Sequence, residues 1–187
     1  MVYKALTYTL IGIEAFLVEV ECDISIGLPA FNIVGLPENT VRESKERIRS
    51  AIKNSQLSFP EHRITINLAP ADLKKEGPAY DLPIAVGILL ATEQIIADIT
   101  GKVFIGELSL DGALRHTGGI LPMVGLAFHQ GFREIVVPAS DAKEASLVEG
   151  TQIIPVGSLA QLAGYLRGDV VISPYQPDGT SLEAPAI

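Results

Sequence analysis

The sequence predicts a single soluble domain built from both strands and helices, and three observations carry that expectation. The run Phe16 to Ile26 alternates apolar and polar residues with period two. The stretches around Val41–Ile52 and Ile120–Phe128 repeat apolar residues at helical spacing. From Glu134 to Gly168 strand-like and helix-like segments alternate, as in βαβ units with parallel strands. At 187 residues, 48% hydrophobic and 19% charged, the chain is long and apolar enough to bury a core without metal or disulfide staples.

Each element follows from local pattern. Phe16, Val18, Val20, Cys22, Ile24 and Ile26 form the apolar face of a half-exposed strand, with Glu19, Glu21, Asp23 and Ser25 opposite. Cys22, the one cysteine, reads as a buried small hydrophobe and cannot form an internal disulfide, which fits a reducing cytoplasm. Gly27-Leu28-Pro29 and Gly35-Leu36-Pro37 bracket a short strand, Phe31 to Val34. A helix is expected from Thr40 to about Ser55, Thr40 capping it and Glu43 returning the bond. Ile64, Ile66 and Leu68 mark a third strand before the turn at Ala69-Pro70.

Asp81 is expected to cap a second, largely apolar helix through Leu90, with Pro83 in its first turn. Val103 to Leu110 reads as a strand, followed by an Asp111-Gly112 turn into a shorter one at Ala113 to His116. A helix runs from Gly119 to Gly131. The remainder is strand Glu134–Val137, helix from about Asp141 to Val148, strand Gln152–Val156, and a helix capped by Ser158 and stopped by Gly168. Residues 169–187, with Pro174, Pro177, Asp178-Gly179 and Pro185, have linker composition, and a linker with nothing after it suggests truncation.

Several chemistries have no motif. Leu82 to Ala91, the longest apolar run, is too short to span a bilayer, so no membrane partner is expected. Met1 to Leu10 lacks the apolar core of a signal peptide. Gly101-Lys102 is followed by Val103 and lacks a glycine five residues earlier, so there is no phosphate-cradling loop, and the chain alone is not expected to hydrolyse ATP. No Cys/His cluster at metal-ligand spacing occurs, and none of GxGxxG, HExxH or GxSxG. His62, His116 and His129 stand singly and read as surface or hydrogen-bonded structural residues rather than bases or ligands. Ser109, Asp111 and His116 lie close in sequence, which is weak evidence for a triad assembled in space.

Charge is more informative. The net charge of −8 argues against wholesale binding to nucleic acid, yet Val41 to Arg63 carries +3 and the rest −11. At about 100° per residue, Arg42, Lys45, Arg49 and Lys53 fall in one helical stripe beside Val41, Ile48 and Ile52. Such a stripe can face phosphates or an acidic partner; equally, it can be a solvated face laced by the pairs Glu38–Arg42 and Glu43–Arg47.

Two blocks carry a resemblance. Gly27-Leu28-Pro29 through Ile33-Val34-Gly35-Leu36-Pro37, with Val41, Glu43, Arg47 and Arg49-Ser50-Ala51-Ile52, is similar to the N-terminal domain of the ComM/YifB type of magnesium-chelatase-like AAA+ proteins. The more specific block runs from Ile66-Asn67-Leu68-Ala69-Pro70-Ala71-Asp72-Leu73 through Lys75-Glu76-Gly77 to Tyr80-Asp81-Leu82-Pro83-Ile84-Ala85. Gly106-Glu107-Leu108-Ser109-Leu110-Asp111-Gly112, Arg115 and Gly118 complete it, so that the match covers about residues 3 to 167.

The resemblance implies an α+β domain over residues 1–168 with the ribosomal protein S5 domain 2-like fold of the Lon proteolytic domain, a mixed sheet with helices packed on it. It also implies that residues 169–187 lead toward an AAA+ module absent from this chain, where ATP and Mg2+ would bind. Lon-type peptidases use a serine in a Gly-Pro-Ser-Ala-Gly stretch and a lysine after a Gly-Gly pair. The matching positions here are Ala79 and Leu121, neither able to move a proton. Lys74 and Lys75 read as surface residues.

The expectation is therefore a non-catalytic accessory domain of a ring-forming, hexameric AAA+ motor that promotes branch migration during natural transformation. Branched or single-stranded DNA would be its partner, with Arg42, Lys45, Arg49 and Lys53 as contacts. The alternatives are a Lon-like serine peptidase with a relocated dyad and a domain of a magnesium chelatase subunit.

Overall fold

Strands β1 (Tyr3–Ile11) and β2 (Glu14–Ser25) form a hairpin in which Tyr3 faces Cys22 and Ile11 faces Glu14. Its two-residue turn puts Gly12 in the left-handed region, at φ 64°, where a side chain would be strained. The computed structural model describes residues 1–177. The strand β1 has no counterpart in the sequence reading. It lies between β2 and β5 (Lys102–Phe104), and its side chains enter apolar clusters on both faces, Tyr3 and Ala5 in one and Leu6, Tyr8 and Leu10 in the other, so no clean alternation survives in Tyr3–Ile11.

The main sheet has seven strands in the order β3-β4-β2-β1-β5-β8-β9, completed by β3 (Ala30–Val34), β4 (Arg63–Ala69), β8 (Glu134–Pro138) and β9 (Gln152–Val156). Antiparallel pairs join β1–β2 and β2–β4; β3–β4, β1–β5, β5–β8 and β8–β9 are parallel. The fold is thus α+β with a mixed sheet, as the resemblance implied. β6 (Glu107–Leu108) and β7 (Leu114–Arg115) make a separate two-stranded ribbon.

Two apolar clusters lie on the sheet. One joins Val18, Val20, Cys22, Ile64, Ile66 and Leu68 to α2 (Ser44–Asn54), α3 (Asp81–Ala91) and α6 (Leu159–Arg167). The other joins Tyr8, Val103, Ile105, Ile135 and Val137 to α4 (Ile120–His129) and α5 (Ala142–Ala145). Neighbouring residues such as Ile135 and Val136 enter different clusters, which is the pleat at work. In α3 every residue from Asp81 to Leu90 is buried, as expected for a helix apolar on all sides.

Several local expectations are corrected. Thr40 does not cap a helix: it sits inside α1 (Asn39–Arg42), and its Oγ1 accepts the Gly77 N–H at 3.1 Å instead. The chain makes a turn at Glu43 before α2 begins, so the expected single helix is two. Asp81 is likewise the first residue of α3 and makes no cap bond. The predicted strand Val103–Leu110 divides at Ile105-Gly106, because Gly106 leaves the ladder to accept the Leu82 N–H (3.0 Å) and donate to the Ala79 carbonyl (3.2 Å). The helix expected over Asp141–Val148 is a 3-10 turn, Ala139–Asp141, followed by the short α5. Ser158 does cap α6, accepting the Gln161 N–H at 3.1 Å, and Gly168 ends it at φ 84°.

Lys75 is the largest departure. It is fully buried, its Nζ donating to the Gly35 carbonyl at 2.7 Å and to the Pro70 carbonyl. Its backbone also exchanges bonds with Leu36 and Glu38, so one residue clamps the loop between β3 and α1. Desolvation pulls its ammonium below the usual lysine range, against a weaker push upward from Asp72. Of the expected linker, residues 169–177 lie against the domain: Tyr175 donates its N–H to the Ile153 carbonyl at 2.7 Å and packs on the second cluster. Residues 178–187 lie outside the described residues.

Candidate functional site

Gly106 anchors the segment Ala79–Leu82 at the start of α3, and that anchoring places one wall of a cleft. The cleft has a volume of about 390 Å³ and lies between the end of β1, the loop Glu76–Tyr80, Glu107 of β6 and the turn His116–Gly118. Ala79 lines it, together with Gly77 and Gly118, so the position matching a peptidase nucleophile is in the cleft and carries only a methyl group. Leu121 is 38% exposed in the first turn of α4 and does not line it. The two degenerate positions are therefore not brought together there.

The cleft does contain hydroxyls. Thr9, Tyr80 and Thr117 are 3%, 1% and 7% exposed; the Thr9 and Tyr80 hydroxyls face each other, and Thr117 Oγ1 has no hydrogen-bond partner among the described residues. Burial pushes the Tyr80 phenol upward. Tyr8 also lines the cleft, but its hydroxyl donates to Gln130 Oε1 at 2.5 Å, and burial raises it to about 12. No base touches Thr117 Oγ1, which leaves it without the activation a nucleophile needs.

Two neighbouring sets of polar groups are already engaged. His116 Nδ1 bonds Asp141 Oδ1, and the other Asp141 oxygen accepts the Thr117 N–H at 2.8 Å. The buried Asp141 thereby fixes the turn that carries Thr117. The Ser109 hydroxyl donates to Asp111 at 2.5 Å, and Asp111 also takes the Ala113 N–H, so this serine and carboxylate close a turn rather than join His116. That Ser109 bond, with the Ala113 N–H, holds Asp111 below the ordinary carboxylate range.

The basic stripe is partly preserved. Lys45, Arg49 and Lys53 follow at intervals of four along α2, with Arg42 preceding them on α1. Arg42 and Lys53 are exposed, and Arg42, Lys45 and Lys53 make no ion pair among the described residues. Arg49 contacts Glu46 at 3.8 Å and lies 5.1 Å over the Phe59 ring, which stacks on Phe31. Pro29, Arg49, Lys53, Phe59, Pro60 and Glu61 line a second, open groove there.

The expected pairs Glu38–Arg42 and Glu43–Arg47 do not form. Glu38 meets Lys74 at 3.5 Å, and Arg47 turns inward to Asp81. Sequence reasoning missed this inward pair, because an aspartate opening a helix reads as a cap until its distant partner is known.

Comparison with known proteins shows the family. The family described as subunit ChlI of Mg-chelatase matches residues 20–141. The chain is 44% identical over 158 residues to Competence protein ComM of Haemophilus influenzae, which is 84% of this chain and 31% of that protein. It is 41% identical over 172 residues to the uncharacterized protein YifB of Escherichia coli, covering 91% and 34%. Lon protease 2 of Bacillus subtilis is 25% identical over 127 residues, covering 67% and 22%. The chain spans about a third of the length of the curated ComM and YifB relatives it matches.

Proposed function

The chain belongs to the ChlI family, and from that premise we propose that it is a non-catalytic domain of a ComM/YifB-type AAA+ protein that contacts DNA through α1 and α2. The observation that carries this reading is the row Arg42, Lys45, Arg49 and Lys53, three of whose members have no acidic partner among the described residues. Cations left free on one helical edge are suited to phosphates. Phe59, stacked on Phe31, carries the Arg49 guanidinium over its ring and so holds that cation at the groove beside Lys53.

In this reading the whole protein is a hexameric, ring-forming branch-migration helicase of natural transformation, located in the cytoplasm, and this domain assists ring assembly or DNA engagement. The printed name of the Haemophilus relative, a competence protein, supports the association with DNA uptake. No helix among the described residues is long and apolar enough to cross a membrane. ATP and Mg2+ do not fit this chain's own residues. It has no Gly-Lys-Ser/Thr loop, and no group of three or more metal-ligating side chains gathers among the described residues. Both belong to an AAA+ module.

Peptidase chemistry is not part of this proposal. Ala79 stands in the cleft where a nucleophile would, and the one buried lysine nearby in sequence, Lys75, is engaged by two carbonyls. Fluorescence anisotropy with forked DNA tests the reading: the pair Lys45→Glu and Arg49→Glu should weaken binding, and an unchanged affinity would remove α2 from it.

A further inference from the structure

The seven-stranded sheet has two edges, β9 and β3, and they are finished differently. An unpaired edge is a row of free N–H and C=O groups that can template another chain. On β9 the Gln152 N–H turns inward to the Arg133 carbonyl, so Ile153 and Pro155 are the residues whose backbone faces outward. Pro155 has no N–H to offer, and the Ile153 carbonyl is taken by the Tyr175 N–H at 2.7 Å. This edge is closed.

β3 has none of these devices. The Ala30 N–H bonds the His62 carbonyl at 3.3 Å, on the β4 side, so by alternation the N–H and C=O groups of Phe31 and Ile33 point away from the sheet. No strand lies beyond them among the described residues. The side chains of Phe31 and Ile33 are buried in the core, which fixes the strand in place. Around this edge Ile26 and Leu28 are 97% and 88% exposed, and Val34 and Leu36 are exposed as well. The twelve residues from Ile26 to Pro37 carry no charged side chain, in a chain whose net charge is −8. A neutral, apolar edge on an acidic protein can meet its own copy without like charges coming face to face.

We propose that β3 pairs with β3 of a second copy, antiparallel about a two-fold axis at Asn32, joining the two sheets into one. The unequal edges select this occupant. Pairing of β3 with β9 of the next copy would propagate without end, and Pro155 and Tyr175 block it; like edge against like edge closes the assembly at two. In this register Phe31 of one copy stands opposite Ile33 of the other, and their outward groups exchange backbone bonds on both sides of the axis. The two exposed Asn32 amides, each both donor and acceptor, come side by side at the axis. Val34 lies opposite Ala30 of the other copy, and Leu36 comes to the end of the strand that holds its Leu28.

Twelve residues a side is about half of what a stable interface uses, so the dimer is weak, with Kd on the order of 10–100 μM. It uses none of the cations of α1 and α2 and stands apart from the DNA reading. A two-fold contact cannot join neighbours around a six-fold ring; in a ring it would tie one ring to another.

Sedimentation of the 187-residue chain from about 5 to 500 μM tests the contact, and a monomer–dimer equilibrium with nothing larger is expected. Asn32→Lys sets two like charges opposite each other at an exposed site and should weaken the dimer about tenfold or more. Asn32→Cys should crosslink on mild oxidation, because residues facing each other between ladder bonds have Cα atoms about 4.5 Å apart, within disulfide reach. A chain monomeric throughout, growth beyond the dimer, a dimer unweakened by Asn32→Lys, or one that Asn32→Cys does not crosslink overturns the proposal. DNA affinity is a separate readout, governed by α1 and α2.

Discussion

Arg47 Nε stands 2.8 Å from Asp81 Oδ2, and its Nη2 reaches Oδ1 at 3.2 Å, so a guanidinium on α2 grips a carboxylate that opens α3. Asp81 Oδ2 also accepts the Leu108 N–H at 3.0 Å, which ties in β6. Arg47 Nη2 continues to Ser44 Oγ and to the Thr40 carbonyl. Burial pushes the Asp81 carboxyl upward, while the hydrogen bonds from Arg47, Ser44 and Leu108 pull it back. The pair holds the start of α3, and with it the Ala79 wall of the cleft, against α2.

Removing one partner of a buried pair strands the other. Arg47→Ala should therefore lower stability by about 3–5 kcal/mol, whereas Lys53→Ala, at an exposed site, should stay within about 0.5 kcal/mol. Urea unfolding of the two variants checks this. Equal, small losses would mean that Arg47 is an ordinary surface cation.

The loop Gly35–Glu38 makes a second structural prediction. Gly35 has φ 100°, and a Cβ there would stand 2.2 Å from the Leu68 carbonyl oxygen, a backbone atom that cannot move aside cheaply. Gly35→Ala should cost more than about 2 kcal/mol, from strain and clash together. Lys75→Met keeps most of the volume but leaves the Gly35 and Pro70 carbonyls without their donor, at about 1–3 kcal/mol. Thermal unfolding reads both, and a neutral Lys75→Met would contradict the clamp.

Cys22 predicts a pH dependence. It is fully buried, and burial, with a smaller contribution from Asp23, raises its thiol from 9.0 to about 12. In the unfolded chain the thiol ionises from about pH 9, while the folded protein keeps its proton. The unfolded state then binds fewer protons, so stability falls as pH rises from 9 toward 12. Cys22→Ala, costly at neutral pH for its cavity, should show a shallower fall across that window. An identical slope in chemical unfolding would show that Cys22 ionises equally in both states.

A serine-directed phosphonate should leave the chain's intact mass unchanged. Ala79 offers no hydroxyl, and Thr117 Oγ1 has no base in contact. A single stoichiometric adduct would establish a relocated nucleophile.

Legibility in the sequence followed how locally each feature is determined. Strand β9 over Gln152–Val156 and the Ser158 and Gly168 ends of α6 depend on neighbours in the chain and agree with the reading. Strand β1 escaped because burial on both faces erases alternation, and Thr40, Asp81 and Lys75 were misassigned because their partners lie 37, 34 and 40 residues away. At the site, Ala79 could be placed from the resemblance. The buried hydroxyls of Thr9, Tyr80 and Thr117 could not, since threonine and tyrosine at those positions carry no shared motif.

The most direct test of the central claim is the salt dependence of DNA binding. Four phosphate contacts from Arg42, Lys45, Arg49 and Lys53 predict a slope of about −3.6 in log affinity against log salt on forked DNA, corresponding to a loss of about two orders of magnitude between roughly 50 and 200 mM. The double variant Lys45→Glu and Arg49→Glu should flatten that slope by about 1.8 or more. A slope unchanged in the double variant would contradict the account, because the phosphates would then be met by another surface.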